Sequence, residues 1–317
     1  MGNSKPRVTV GLPVFDAEKY LTQALDSILA QTYSDFDLII SDNASTDRTH
    51  EICQAYAAKD KRILYYRNEK NLGVAPNLNR VFELSSTEYF KWAPNDDLIT
   101  PEFLSRCVEV LDRNPSVVLC YSRAKIIDEH SSYIGDYVPG PDTSSPKRYE
   151  RFRNLILHPE YAIQQMGLVR SEALKRTGLH QCFPSSDEIL LAELALLGEF
   201  YEIPERLYVY RLHPEQSTKE KKQRARVLFF DTSLAGKIVL PKWRYFSASL
   251  RAISRTPLRG REALCCYATL VRWLLVPAHF RALGKDLLIA AGQLIAHAFV
   301  RSKGKLRQAT RGREVAN

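Results

Sequence analysis

A chain of 317 residues is long enough for one large core, or for one domain with an appendage. Hydrophobic residues make up 45% and charged residues 26%, a balance that excludes global disorder. The net charge of +9 is unevenly spread: residues 1–218 carry 24 Lys+Arg against 31 Asp+Glu, net −7, and residues 219–317 carry 21 against 5, net +16.

Any basic partner surface therefore belongs to the second stretch, and the shift predicts a boundary between residues 1–218 and 219–317. The six cysteines (Cys53, Cys107, Cys120, Cys182, Cys265, Cys266) form no C-x-x-C pair and no His/Cys ligand spacing. They predict reduced thiols in a cytoplasmic protein. The polar start, Met1 to Arg7, leads into an apolar run ending at Pro13, too short and too early for a secretory signal.

Along the first 120 residues the hydrophobic period switches repeatedly between strand and helix, the sign of βαβ units. Arg7 to Phe15 (RVTVGLPVF) predicts a buried strand. Tyr20 to Gln31 carries Leu21, Ala24, Leu25, Ile28 and Leu29 at helical spacing. Phe36 to Ser41 predicts a second strand, and Asp47 to Lys59 a second helix that Ser45 or Asp47 can cap. Arg62 to Arg67, then Pro76 to Leu84, then Tyr89 to Ala93 continue the alternation. Pro101 to Leu111 starts with proline in its first turn, and Val117 to Tyr121 predicts a fifth strand.

The pattern is less regular from Tyr149 to His213. Ser185-Ser186-Asp187 precedes an apolar helix, Ile189 to Leu197, stopped at Gly198, and Phe200 to Leu212 predicts a strand broken by Pro204. Beyond Lys219, arginine and lysine mix with leucine, alanine and aromatics. The longest uncharged apolar run there, Leu287 to Val300, is shorter than the roughly 20 residues of a spanning helix. That composition predicts a mainly helical region lying on an anionic membrane surface, and it argues against a nucleic-acid partner.

A mostly parallel sheet binds ligands beyond the carboxyl ends of its strands. The residues there are Phe15-Asp16, Asp42-Asn43, Asn68 to Gly73 and Asn95-Asp96-Asp97, and three of these four turns hold an aspartate. Asp96 and Asp97 together can hold a hard divalent ion, or can simply cap the following helix. Asp42 can accept a hydrogen bond from a nucleobase, or form an Asx turn. Gly73 allows close backbone approach. Asp187, with Glu188 beside it, offers a general base or a helix cap. The segment Tyr210 to His213 offers an arginine for phosphate and a histidine for a metal, or a plain surface strand end.

The ordered set V-T-V-G-L-P-V-F-D-A-E-K-Y-L, I-I-S-D-N-A-S-T-D, N-L-G-V-A, W-A-P-N-D-D, S-D-E and P-E-R-L-Y-V-Y-R-L-H resembles the family 2 glycosyltransferases across roughly residues 7–213. The resemblance implies an α/β fold of GT-A type: a Rossmann-like, mostly parallel sheet flanked by helices, here with a basic helical C-terminal region. It also implies a metal-dependent, inverting, hexosyltransferase-type enzyme that uses Mn²⁺ or Mg²⁺ and a nucleotide-sugar donor, UDP-linked before dTDP-linked. A glycan or lipid-linked acceptor, as in cell-envelope synthesis, and a place on the inner face of the cytoplasmic membrane would suit it.

By the same resemblance Pro13 and Phe15 line the base pocket and Asp42 bonds the base. Asn71, Gly73 and Asn79 flank the nucleotide, Asp96 lies on the ribose or metal side, Asp97 is the principal metal ligand, and Asp187 is the base; His213 is a further metal candidate by its own chemistry. Phe15 stands where tyrosine is commonest, Asn95 where an acid is frequent, and Ser186 where the family carries glutamate. The last departure leaves the base open between Asp187 and Glu188. The rival readings are an inactive scaffold with this fold, which would not need Asp42, Asp96, Asp97 and Asp187 together, and a nucleotidyltransferase. The second would need a Gly-rich basic loop that Val10 to Val14 does not supply.

Overall fold

The computed structural model describes residues 5–137, 140–158, 163–216 and 223–294. Strand β1 (Val8–Val14) is buried at almost every position, as a parallel strand covered on both faces must be. It pairs in parallel with β2 (Phe36–Asp42) and β4 (Tyr89–Trp92), Val8 standing opposite Phe36 and Tyr89. Helix α1 (Leu21–Leu29) follows β1 and buries Leu21, Ala24, Leu25 and Ile28, the stripe its spacing predicts. Helix α2 (Thr49–Ala57), β3 (Ile63–Arg67) and α3 (Val74–Glu83) complete the first units.

After β4 come a two-residue strand β5 (Leu98–Ile99), α4 (Phe103–Arg113), and β6 (Val117–Ile127), which runs well past the expected Tyr121. Then follow β7 (Tyr133–Asp136), α5 (Arg148–Leu157), β8 (Leu168–Arg170), α6 (Ser171–Leu174), α7 (Ser186–Leu197) and β9 (Glu199–Arg211). The nine strands form one sheet in the order β3-β2-β1-β4-β8-β6-β9-β5, with β7 paired to β6. Strands β5, β7 and β8 oppose the other six, so the sheet is α/β and mostly parallel, as expected.

Pro204 does not end its strand. The pairing of β9 with β6 jumps from Ser122–Ile203 to Arg123–Arg206, so Pro204 and Glu205 are looped out of the ladder. A residue without an N–H is tolerated at such a bulge.

One face of the sheet packs Phe103, Leu104, Cys107 and Leu111 of α4 and the α1 stripe against Val8, Val10, Leu12 and Leu38. The other packs Val81 and Phe82 of α3 and Leu190, Leu191 and Leu194 of α7 against Phe90, Trp92 and Leu119. Helix α7 is apolar all round because its far side is covered as well: Ile189, Ala192 and Leu196 meet Phe152 and Ile156 of α5 and a set of C-terminal helices. Gly198 ends α7 in extended rather than left-handed backbone. A Cβ there would lie 2.3 Å from Val118 and 2.7 Å from the Ser116 carbonyl, so glycine is required by close packing on β6.

The C-terminal helices are α8 (Gln223–Phe230), α9 (Pro241–Arg255), α10 (Gly260–Leu275) and α11 (Pro277–Leu294). Tyr245, Ala248 and Ala252 of α9, Leu270 and Trp273 of α10 and Leu283 of α11 share a core with α5 and α7. The change of charge at 218/219 is therefore not a change of packing unit. Among the described residues no single helix is long and apolar enough to cross a membrane, and α10 and α11 are bent by 75°. The last part of the basic region, residues 295–317, lies outside the described residues.

Candidate active site

At the carboxyl ends of β1, β2, β3 and β4 lies a cleft of about 350 Å³. Pro13 and Phe15 form one wall, Asn43 and Asn71 another, and Asn95, Asp96 and His213 the floor. This is where a mostly parallel sheet is expected to take a ligand. Phe15 keeps 42% of its surface exposed, an aromatic face held open to the cleft.

The loops after β1 and β2 are stitched together beneath Phe15. Asp16, at φ 45°, accepts hydrogen bonds from the Thr46 amide at 2.7 Å and the Thr46 hydroxyl at 3.2 Å. The Ala17 amide donates to Thr49 Oγ1, and the Glu18 amide to Asp47. Asp47 also accepts from the Thr49 amide, so it works between loops as well as at the start of α2. Ser45 caps no helix; its hydroxyl accepts from the Asp16 amide.

Asp42 is fully buried and does not line the cleft. Its oxygens accept from the Ser45 amide and the Tyr65 hydroxyl, each at 2.8 Å, and Arg67 stands 3.5 Å away. Asn71 does line the cleft, within an amide network that sequence reasoning missed. Asn43 donates to Asn71 Oδ1 and the Gly73 carbonyl and accepts from Asn68 and the Leu72 amide, while Asn77 spans back to Ser41. Gly73 adopts φ +93°, and a Cβ would lie 2.7 Å from Asp231 Cα and the Phe230 carbonyl. The close approach it allows is by the end of α8. Thr232 holds that segment down on the Asn71 carbonyl, and Phe229 and Thr232 become cleft wall. Asn79 faces away from the cleft: its amide brackets the His180 backbone, donating to the carbonyl at 2.8 Å and accepting from the N–H at 3.0 Å.

The two aspartates after β4 point in different directions. Asp96 lines the cleft, and its Oδ2 lies 3.0 Å from His213 Nε2. Asp97 turns inward, accepting from the Tyr208 hydroxyl at 2.5 Å and from the Arg211 amide at 2.8 Å. Burial, then the charge of Asp96, pushes the Asp97 carboxyl well above the usual carboxylate range. Lys91, also fully buried, donates to the Trp92 and Met166 carbonyls, and burial pulls it down to about 7. Arg211 is not a free phosphate ligand. Its guanidinium is buried, donating to the Asp96 carbonyl, Ser131 Oγ and Gln23 Oε1 and lying 4.6 Å over the Tyr20 ring. Tyr20 in turn packs on His213, with ring centroids 4.9 Å apart.

Asp187 and Glu188 occupy the first turn of α7 and do not line the cleft. Glu188 faces Tyr245 and Lys242 of α9; burial, with the charge of Asp187 next, pushes it up to about 7.

Asp96 and His213, side by side at the cleft, are two groups that could hold a cation. The pair is joined by a 3.0 Å hydrogen bond, and the two side chains together would offer a divalent ion one oxygen and one nitrogen. An oxygen with an imidazole nitrogen suits Mn²⁺ better than Ca²⁺. Among the described residues no third His, Cys, Asp or Glu joins them, so a bound ion would need further ligands from the donor or from water.

Comparison with known proteins shows the family and the fold. The family described as Glycosyl transferase family 2 matches residues 9–178. An uncharacterized glycosyltransferase of Methanocaldococcus jannaschii is 30% identical over 175 residues, 54% of this chain and 58% of that protein. One from Haemophilus influenzae is 27% identical over 218 residues, covering 67% and 68%. The matches thus span about three fifths to two thirds of these relatives. Among solved structures, S. aureus TarS 1–349 in complex with UDP-GlcNAc superposes with a TM-score of 0.62 at 15% identity, covering 90% of this chain and 81% of that one. The mannosyltransferase PcManGT from Pyrobaculum calidifontis, with GDP-Man and Mn²⁺, superposes at 0.55 and 17% identity, covering 96% and 81%. Both share the fold.

Proposed function

We propose that this chain, which belongs to glycosyl transferase family 2, moves a hexosyl group from a UDP-sugar to a hydroxyl of a glycan or lipid-linked acceptor, inverting the anomeric carbon. The observation that carries the reading is the Asp96–His213 pair, 3.0 Å apart on the floor of a cleft walled by Phe15 and Asn71. Binding of UDP-GlcNAc by TarS, and of GDP-Man with Mn²⁺ by PcManGT, supports a nucleotide-sugar donor and a divalent ion.

In this reading Phe15 stacks on the base while Asn43 and Asn71 set the rim. Asp96 and His213 would hold Mn²⁺ or Mg²⁺, whose charge would neutralise the departing diphosphate. Asp97 is a positioning residue: with Tyr208 and Arg211 it fixes the turn that presents Asp96. Asp187 takes the proton of the acceptor hydroxyl, whose oxygen then attacks the anomeric carbon opposite the diphosphate. A base for the acceptor belongs beside the acceptor, so its place outside the donor cleft is consistent. Glu188, turned toward α9, is the poorer candidate.

An inactive scaffold would still keep Asp42 and Asp97 for their buried hydrogen bonds; the Asp96–His213 pair differs in standing at the open cleft, where a ligand can reach it. The test is hydrolysis and transfer with UDP-, dTDP- and GDP-sugars, with Mn²⁺ or chelator. The expected result is UDP-sugar turnover in Mn²⁺, lowered about 10²–10⁴-fold by Asp187→Asn with donor affinity kept. No binding of any nucleotide sugar would refute it.

A further inference from the structure

We infer that the outer face of α10 and α11 is a docking surface for an anionic lipid bilayer, on which the protein lies without crossing it. This inference stands apart from the transfer reading. Helix α10 is apolar on two sides. Its inner side, with Cys266, Leu270 and Trp273, is buried on α5 and α9. Its outer side carries Leu264, Tyr267, Val271 and Leu275 at spacings of three, four and four residues, all exposed, Leu275 to 76%. Phe280 and Leu288, exposed to 70% and 76%, extend the face along α11. A soluble helix ordinarily places charged residues on such a side.

Charge identifies the occupant. The exposed charged residues on α10 and α11 are Arg261, Arg272, Arg281 and Lys285, all basic. The two acids on these helices turn to the protein: Glu262 accepts from the Arg259 amide, and Asp286 is buried, accepting from the Lys242 amide. Leucine, phenylalanine and tyrosine rimmed only by cations match the boundary between acyl chains and anionic headgroups. A second copy of the chain would bring the same cations face to face in an isologous contact. Helices α10 and α11, bent by 75°, are together long and apolar enough for a broken or re-entrant span, but the inner side of α10 is fixed in the protein core, where Trp273 stacks on Tyr245 and Phe246.

The test is co-sedimentation of the full chain with phosphatidylcholine vesicles, with and without phosphatidylglycerol, at low and high salt. Binding should require phosphatidylglycerol and weaken with salt, and each neutralised cation among Arg272, Arg281 and Lys285 should lower partition about fivefold. The pair Leu275→Asp with Phe280→Asp should abolish binding at any salt. UDP affinity and melting temperature should stay unchanged, showing intact folding. Equal binding to neutral vesicles would overturn the inference, as would no binding at all. So would a dimer in sedimentation velocity that Leu275→Asp dissociates, or protection of α10–α11 from protease on both sides of sealed vesicles.

Discussion

Asp96 and Asp97 are adjacent in sequence and opposite in environment, and their substitution should separate the two roles. Removing Asp97 leaves the buried Tyr208 hydroxyl and Arg211 amide without their partner, so Asp97→Ala should cost about 3 kcal/mol in chemical denaturation. Asp96→Ala, at the open floor, should cost under about 1 kcal/mol. Equal losses would place both carboxylates in the same environment. The acidic pair itself is legible in the sequence. Which member faces the cleft is not, because that depends on how the turn is pinned by β9, more than a hundred residues away. The same holds for the approach of His213 to Asp96, which only the order of family motifs suggests. Asp42 and Asn79 read as ligand contacts, yet their polar atoms are taken up by Tyr65, Ser45 and the His180 backbone. His180 makes a further prediction. It is buried, its ring edge-on to Trp92, and burial pulls it down to about 4. The unfolded chain gains this proton near pH 6.5 and the folded protein only near 4, so stability is lost as pH falls between them. Relative to His180→Phe, the wild type should lose about 3 kcal/mol over that window, and parallel curves would contradict this.

Among the elements, the first four strands and their helices are readable because each apolar run is bounded by a turn and followed by a helical stripe. Strands β7 and β8 are not: one is an exposed four-residue strand and the other has only three residues. Strand β9 reads as broken because the sequence shows Pro204 but not the bulge that accommodates it. The segment joining α8 to the cleft is equally hidden, and Gly73 is where it can be tested. Gly73→Ala combines a positive φ with a Cβ 2.7 Å from Asp231 Cα. At φ 93° and ψ 170° the backbone lies in a region essentially reserved for glycine, a strain of about 1–3 kcal/mol, and displacing Phe230 and Asp231 should also move Phe229 and Thr232 out of the cleft wall. Lower stability and weaker UDP binding should appear together in denaturation and titration. Unchanged UDP affinity would detach this segment from the site.

At the scale of the molecule, net charge divides the chain where packing does not. Residues beyond 218 cover α7, wall the cleft through Phe229 and Thr232, and present the basic, apolar face of α10 and α11. Sequence composition revealed the basic region but not this shared core, because the apolar residues of α9 and α10 serve the inner and outer faces alike. If a divalent ion on Asp96 and His213 holds the donor diphosphate, calorimetric titration of UDP will register it. Wild-type protein should bind UDP at least about tenfold more tightly in Mn²⁺ than in chelator, the change expected when a cation neutralises phosphate charge. Asp96→Ala should lose that gain while Asp97→Asn retains most of it. Equal affinities with and without the ion, or a gain that survives Asp96→Ala, would contradict the account.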